Sequence, residues 1–326
     1  MESVESGFKP IFIVGAPRSG TTMLAVLLNR HSHIAIPPET QFFSEYIQET
    51  DVTSFARKSR LGNVEDAASF NRISDLGLSV EEIMAEYELL PNEPACLLQA
   101  ILAAYTAKCG KKRAGEKSPR HLEYVPHILS LYPEAKVICI VRDGRDVVRS
   151  LVKTPWAEPG NPRRKGLFCM QWTEYANKII EYRNTLPSEK FRVFRYEDVL
   201  TSGEEVLREI CQFIDERFEI EMLQAGQGSG VVPGWETRWK GKAEDGLDPS
   251  RAGAWRRQAS TREICWLNMF MGKELGLMGY KDTTLKECSI WLRCLIWLQI
   301  LPYRRIMQPV SLLGLRLIRV LKSKQS

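Results

Sequence analysis

Residues 10–15, Pro-Ile-Phe-Ile-Val-Gly, form an unbroken apolar run that stops at a glycine. This is the pattern of a strand buried on both faces of a parallel sheet. Lys136–Val141 and Phe191–Phe194 repeat it, and shorter candidates stand at Ile34–Ile36 and Arg113–Gly115. Between the runs the spacing turns helical, and several helix starts are marked. Thr21–Arg30 follows a Gly-rich loop, Ser118-Pro119 offers an N-cap with proline at the first helical position, and Asp143 offers another cap. Ser202…Glu205 and Ser260…Glu263 have capping-box spacing. Alternating strands and helices predict an α/β fold, a P-loop-like parallel sheet with helices on both faces. Ligands of such sheets sit at the carboxyl ends of the strands. Loops are expected at Glu158–Gly166, Gly226–Gly234 and Gly241–Pro249, and residues 41–110 read as a helical insertion near the acceptor site.

Charge changes the picture at one end. The 326 residues carry a net charge of +5, but no acidic residue follows Glu287, while Arg293, Arg304, Arg305, Arg316, Arg319, Lys322 and Lys324 add +7 there. The remainder has 38 basic and 40 acidic side chains, or −2. A body so balanced is not built to hold nucleic acid. The expected division is a domain over 1–287 and a basic amphipathic helical tail over 288–326, with Ile290–Leu301 and Val310–Leu321 as its helices. Tryptophan, leucine and unbroken positive charge suit peripheral contact with an anionic membrane. A helical hairpin packed on protein is the alternative. The uncharged stretches 294–303 and 306–315 are ten residues each, half of the roughly 20 that a spanning helix needs. Met1 to Pro10 shows no apolar leader core, so a cytoplasmic location is expected. Eight scattered cysteines without a CxxC pair read as buried thiols of a reducing compartment, and no metal-ligand cluster is visible.

The chemistry concentrates in Gly15-Ala-Pro-Arg-Ser-Gly-Thr-Thr22, directly after a strand and opening a helix. Backbone amides around Ser19, Gly20, Thr21 and Thr22, with the helix dipole, make an anion cradle. The glycine spacing is that of a Walker A loop, but Thr21 stands where that motif requires lysine, and Arg18 brings the positive charge instead.

On these residues the chain resembles the sulfotransferases that use 3′-phosphoadenylyl sulfate (PAPS), and is closer to their protein-tyrosine, Golgi-type and bacterial branches than to the cytosolic steroid and phenol branch. Ile-Val-Gly-Ala-Pro-Arg-Ser-Gly-Thr-Thr is similar to their 5′-phosphosulfate loop, and Ile140-Val-Arg-Asp-Gly-Arg-Asp-Val-Val-Arg-Ser150 to their 3′-phosphate-binding strand and helix. The resemblance implies that Arg142 and Ser150 hold the 3′-phosphate. Pro37-Pro-Glu-Thr40 resembles the region of the catalytic carboxylate, which makes Glu39 the expected base, and Gly115-Glu-Lys-Ser-Pro-Arg-His121 resembles the segment of an active-site lysine, here Lys117. Arg195-Tyr-Glu-Asp-Val199 resembles a strand end whose tyrosine, Tyr196, packs near the adenosine. Ser250-Arg-Ala-Gly-Ala-Trp-Arg-Arg257 resembles the late basic loop over the nucleotide, which brings in Ser250, Arg251 and Arg256. Its spacing departs from that of the cytosolic branch, and exposed arginines are the competing reading.

The implied reaction is in-line transfer of a sulfuryl group from PAPS to a hydroxyl (or amine) of an unidentified acceptor. Glu39 acts as base, Arg18 and the loop amides bind the phosphosulfate, Lys117 meets charge growing on the bridging oxygen, and no metal is required. A membrane-bound tail would favour a lipid or amphiphilic acceptor. The alternatives are a P-loop kinase for a small substrate and a non-catalytic, membrane-associated nucleotide-binding protein.

Overall fold

The computed structural model describes residues 7–45, 71–91, 94–154, 157, 162–226, 229–280 and 288–302. The chain divides into two compact units, Met1–Val141 with Tyr182–Pro249, and Arg142–Glu181 with Ser250–Ser326.

The first unit holds one parallel sheet in the order β2-β3-β1-β4-β5, with β1 at Ile11–Gly15, β2 at Ile34–Ala35, β3 at Arg113–Lys117, β4 at Lys136–Val141 and β5 at Phe191–Arg195. The parallel α/β class expected from the sequence is the class observed. Every residue of β1 is buried, and all of β4 but its first, which is why both are nearly pure aliphatic runs. β3 runs two residues beyond the expected Arg113–Gly115, and its last residue, Lys117, pairs in register with Ile13 of β1. Because β1 lies between β3 and β4 while the chain crosses away on both sides, its carboxyl end opens at a switch of strand order, where α/β sheets place ligands.

The helices of the first unit include α1 (Thr21–Asn29), α2 (Val80–Tyr87) and α3 (Pro94–Lys108). The described parts of 41–110 are thus helical, and α2 starts from a complete Ser79–Glu82 capping box that the sequence reading missed. The second unit carries α4 (Gly144–Leu151), most of α5 (Pro162–Thr185), α7 (Thr261–Leu277) and α8 (Ile290–Pro302), while α6 (Gly203–Phe213) returns to the first. The expected loop Glu158–Gly166 is corrected in its second half, because α5 begins at Pro162, a residue suited to a first helical turn.

Three further expectations are corrected. Ser118 does not cap the turn that starts at Pro119, since its hydroxyl is committed elsewhere, and Ser202 makes no side-chain cap. At Ser260 only half the box forms, with Ser260 Oγ accepting from the Glu263 N–H, because the Glu263 carboxylate is held by Arg149 and Lys165. The reading of the cysteines as buried thiols fails at Cys109 and Cys294, which are exposed, and at one bonded pair. Cys265 of α7 and Cys288, just ahead of α8, form a disulfide, a bond typical of oxidising compartments. The tail helix Ile290–Leu301 is present as α8, and Val310–Leu321 lies outside the described residues.

Candidate active site

The loop after β1 turns through Arg18, which takes the left-handed φ of 70°, and Gly20, at φ 98°. Gly20 is required twice over, because a Cβ there would also strike the Tyr196 ring. Tyr196 opens the helix after β5 and is buried, so its ring packs on the anion loop. Ser19 is fully buried, and its Oγ has no hydrogen-bond partner among the described residues. A buried hydroxyl without a partner is rare and costly. Beside the amides at the start of α1, it fits a group that brings anionic oxygens.

The cation missing from the Walker position arrives from the neighbouring strand. Lys117 is fully buried, with Nζ 3.3 Å from Thr22 Oγ1 and 2.7 Å from Glu39 Oε1. Lys240, which the sequence reading did not single out, places its Nζ 2.7 Å from the same Glu39 oxygen and 2.6 Å from Glu236 Oε2. Two lysines and two carboxylates thus form a neutral, almost dry quartet. Burial opposes charge on Glu39, but Lys117 and Lys240 overcome it and hold its carboxyl well below the usual carboxylate range. Burial pushes Lys117 down to about 8, with Lys240 adding to the effect and Glu39 opposing it. Among the described residues, Glu39 Oε2 has a 3.2 Å contact from Gln41 Nε2.

Glu116 fixes the Glu39 segment from behind. Its buried carboxylate accepts from Thr40 Oγ1 at 2.9 Å and Ser118 Oγ at 2.6 Å, and lies 2.8 Å from His121 Nδ1. Burial works against its charge, yet His121, Ser118 and Thr40 keep it below the ordinary value. Ser118 Oγ accepts from the Gln41 N–H, Thr40 Oγ1 from the Phe42 N–H and His121 Nε2 from the Phe43 N–H. Residues 40–43 therefore hang on this one carboxylate directly or through one side chain. The segment 226–249 is tied to the same loop and helix, through Arg18 NH2 to the Trp239 carbonyl at 3.0 Å, Arg30 to the Gly226 carbonyl at 3.0 Å and Asn29 to the Ser229 carbonyl.

The second unit gathers the other expected residues. Arg142 stands just ahead of α4, and its NH2 donates to the Arg251 carbonyl at 3.2 Å. Asp143 caps α4 through the Arg145 N–H. Arg145 itself is fully buried, chelated by Asp143, bonded to Asn268 at 3.0 Å and stacked on Trp255. Asp143 and Asp146 in turn accept from the Trp255 ring N–H and backbone N–H, which fastens the 250–258 loop to α4. Gly144 leaves room for Trp172, whose ring a Cβ would meet at 2.6 Å. Ser150 is half-buried in the last turn of α4, Ser250 is exposed with its carbonyl taken by Arg257, and Arg256 is exposed over the Trp255 ring. Of the late-loop residues, Arg251 is in direct contact with Arg142.

One grouping qualifies the expectation of no metal-ligand cluster: His31, His33 and Glu216 lie close together. His31 is already saturated, with Nδ1 accepting from the His33 N–H and Nε2 donating to the Arg217 carbonyl.

A strand, a Gly-rich loop, a helix and a lysine from the adjacent strand beside a buried carboxylate make a P-loop-like arrangement. Residues 10–219 match the Sulfotransferase family, and the chain belongs to it. A protein-tyrosine sulfotransferase of Drosophila melanogaster is 26% identical over 206 residues, which cover 63% of this chain and 38% of that one. Nodulation protein NoeE of Sinorhizobium fredii is 32% identical over 150 residues, 45% of this chain and 32% of that one. The chain thus spans well under two thirds of either relative. Among solved structures, the sulfotransferase domain from the curacin biosynthetic pathway aligns with a TM-score of 0.60 at 19% identity, covering 85% of this chain and 99% of that one. The sulfotransferase domain of the Synechococcus PCC 7002 olefin synthase gives 0.58 at 20%, covering 86% and 100%. These two likenesses bear on the fold.

Proposed function

We propose that this protein transfers a sulfuryl group from PAPS to a hydroxyl of an acceptor, by in-line displacement with Glu39 as general base. The observation that carries the reading is Lys117, which joins the anion loop at Thr22 to the Glu39 carboxylate. Base and anion site are thereby held one lysine apart, as direct transfer between two bound reactants requires. Ser19 Oγ, the loop amides and Arg18 bind the 5′-phosphosulfate, and Arg142 and Ser150 take the 3′-phosphate. Ser250, Arg251 and Arg256 complete the nucleotide's surroundings, and Tyr196 packs near the adenosine. The donor brings an already activated sulfuryl group, so no metal is needed. The acceptor hydroxyl gives its proton to Glu39 Oε2 as its oxygen bonds to sulfur. The bond from sulfur to the bridging phosphate oxygen breaks, adenosine 3′,5′-bisphosphate leaves, and Lys117 meets the negative charge left on it.

A thermal-shift titration tests the donor site. Adenosine 3′,5′-bisphosphate at a hundredfold excess over its dissociation constant should stabilise the protein by about 2.7 kcal/mol. Arg142→Ala should abolish that shift and Glu39→Gln should keep it. With radiolabelled PAPS and a panel of phenols, alcohols and amines, Glu39→Gln should also lose transfer. A shift with ATP and Mg²⁺ in place of the bisphosphate would overturn the reading in favour of a kinase.

A further inference from the structure

Helix α8 has two apolar faces and uses only one. Leu292, Ile296 and Ile300 lie along one side, where Ile296 and Ile300 are buried and the helix packs on α7. At about 100° per residue, Trp297, Ile290, Cys294, Leu298, Trp291 and Leu295 fall in turn across an arc of about 160° on the other side. All six are exposed, Trp291 to 80% and Ile290 to 73%. Nine large apolar side chains stand exposed among the described residues, and five of them are on this one helix of 13 residues. Scattered exposed leucines need no explanation, but a contiguous uncharged arc marks a surface that is covered in use.

We propose that this face of α8 docks flat on an anionic lipid surface. Charge selects the occupant. From Cys288 to the C-terminus the sequence has seven basic residues and no acidic one, so the stretch of sequence that holds this helix is attractive only to something negative. A second copy of the chain has the same seven positive charges and no acidic residue in this stretch to offset them. Tryptophan, at two of the six arc positions, is the side chain that favours the boundary between headgroups and acyl chains. The helix is about 20 Å long, too short to span a bilayer and suited to lying in its surface. The Cys265–Cys288 disulfide, one residue ahead of the helix cap at Ser289, ties its N-terminus to α7 and keeps the buried side down, so the apolar arc faces outward without refolding.

Co-sedimentation of the full chain with vesicles tests this, beside a melting curve for each variant. The comparison is between pure phosphatidylcholine and phosphatidylcholine with a quarter phosphatidylserine. The protein should partition at least about tenfold more strongly to the anionic vesicles, and about 0.5 M salt should erase most of the difference. The triple variant Trp291→Glu/Leu295→Glu/Leu298→Glu should lose binding, as should the milder Leu295→Ser/Leu298→Ser to a lesser degree. Both should melt as the wild type does, because the three side chains are exposed. Binding unchanged in both variants would overturn the proposal. So would the absence of binding to either vesicle, or a concentration-dependent dimer that the triple variant converts to monomer.

Discussion

Lys240 Nζ and Glu39 Oε1 meet at 2.7 Å although 201 positions separate them in the chain. Lys240 also holds Glu236, so its loss would take one cation away from two buried carboxylates. Breaking a buried ion pair on one side costs about 3–5 kcal/mol. Lys240→Met should therefore destabilise the protein by roughly 3 kcal/mol in urea unfolding at neutral pH, and adding Glu236→Gln should recover part of that. The folded carboxyl of Glu39 lies below its unfolded value, so its contribution is full above the unfolded range near 4.3 and is lost on acidification. The deficit of the single variant should shrink as the pH is lowered towards 3. A deficit that stays constant would count against the ion pair.

Lys117 titrates near 8 because burial disfavours its charge. Below that pH it is an ammonium and attracts an anionic donor, and above it the attraction fades. Calorimetry with adenosine 3′,5′-bisphosphate should show affinity falling as the pH rises through about 8. Lys117→Met should bind more weakly at pH 7 and show no such step. An unchanged step in that variant would assign the titration elsewhere.

Glu116 touches no reactant in the proposed mechanism, yet it holds Thr40, Ser118 and His121. In Glu116→Gln one acceptor oxygen becomes a donor amide that faces groups already donating. Transfer from radiolabelled PAPS should fall by about tenfold to a hundredfold, in line with a misplaced reacting group, while bisphosphate binding stays near normal. A fall in binding equal to the fall in transfer would mean that Glu116 supports the loop as a whole.

Gly20→Ala meets both a left-handed backbone and the Tyr196 ring. Backbone strain alone costs about 1–3 kcal/mol, and thermal unfolding should register at least that loss. Tyr196→Ala in the same chain should return the steric part and leave the strain. Full rescue would show that the ring contact was the whole penalty.

The strands were legible because burial on both faces leaves little choice but aliphatic side chains, as in Ile11–Gly15 and Lys136–Val141. The turn between β1 and α1 was legible because its glycines and its place between strand and helix are local. Glu39 and Lys117 were found through resemblance and do meet in the fold. Lys240 was not found, since nothing local to Gly234–Lys240 says that its lysine crosses back to residue 39. The family match ends at residue 219, short of it. Capping failed at Ser118 for a related reason: its hydroxyl serves Glu116 and Gln41, contacts that a local rule does not contain. The Cys265–Cys288 pair was equally hidden, because spacing alone carries no sign that two helices will pack side by side.

Glu116 and Lys117 are consecutive on β3, and a strand sends consecutive side chains to opposite sides. They clasp Thr40 and Glu39, also consecutive, one on each side. The two segments are joined like a two-pin plug in its socket, keyed so that neither can swivel about the other. Sliding one segment by one residue would set Glu116 against Glu39 in one direction, and Lys117 against Thr40 in the other. The polarity of the junction therefore favours one seating of β3 against residues 39 and 40, because a slip in either direction loses the Lys117–Glu39 ion pair.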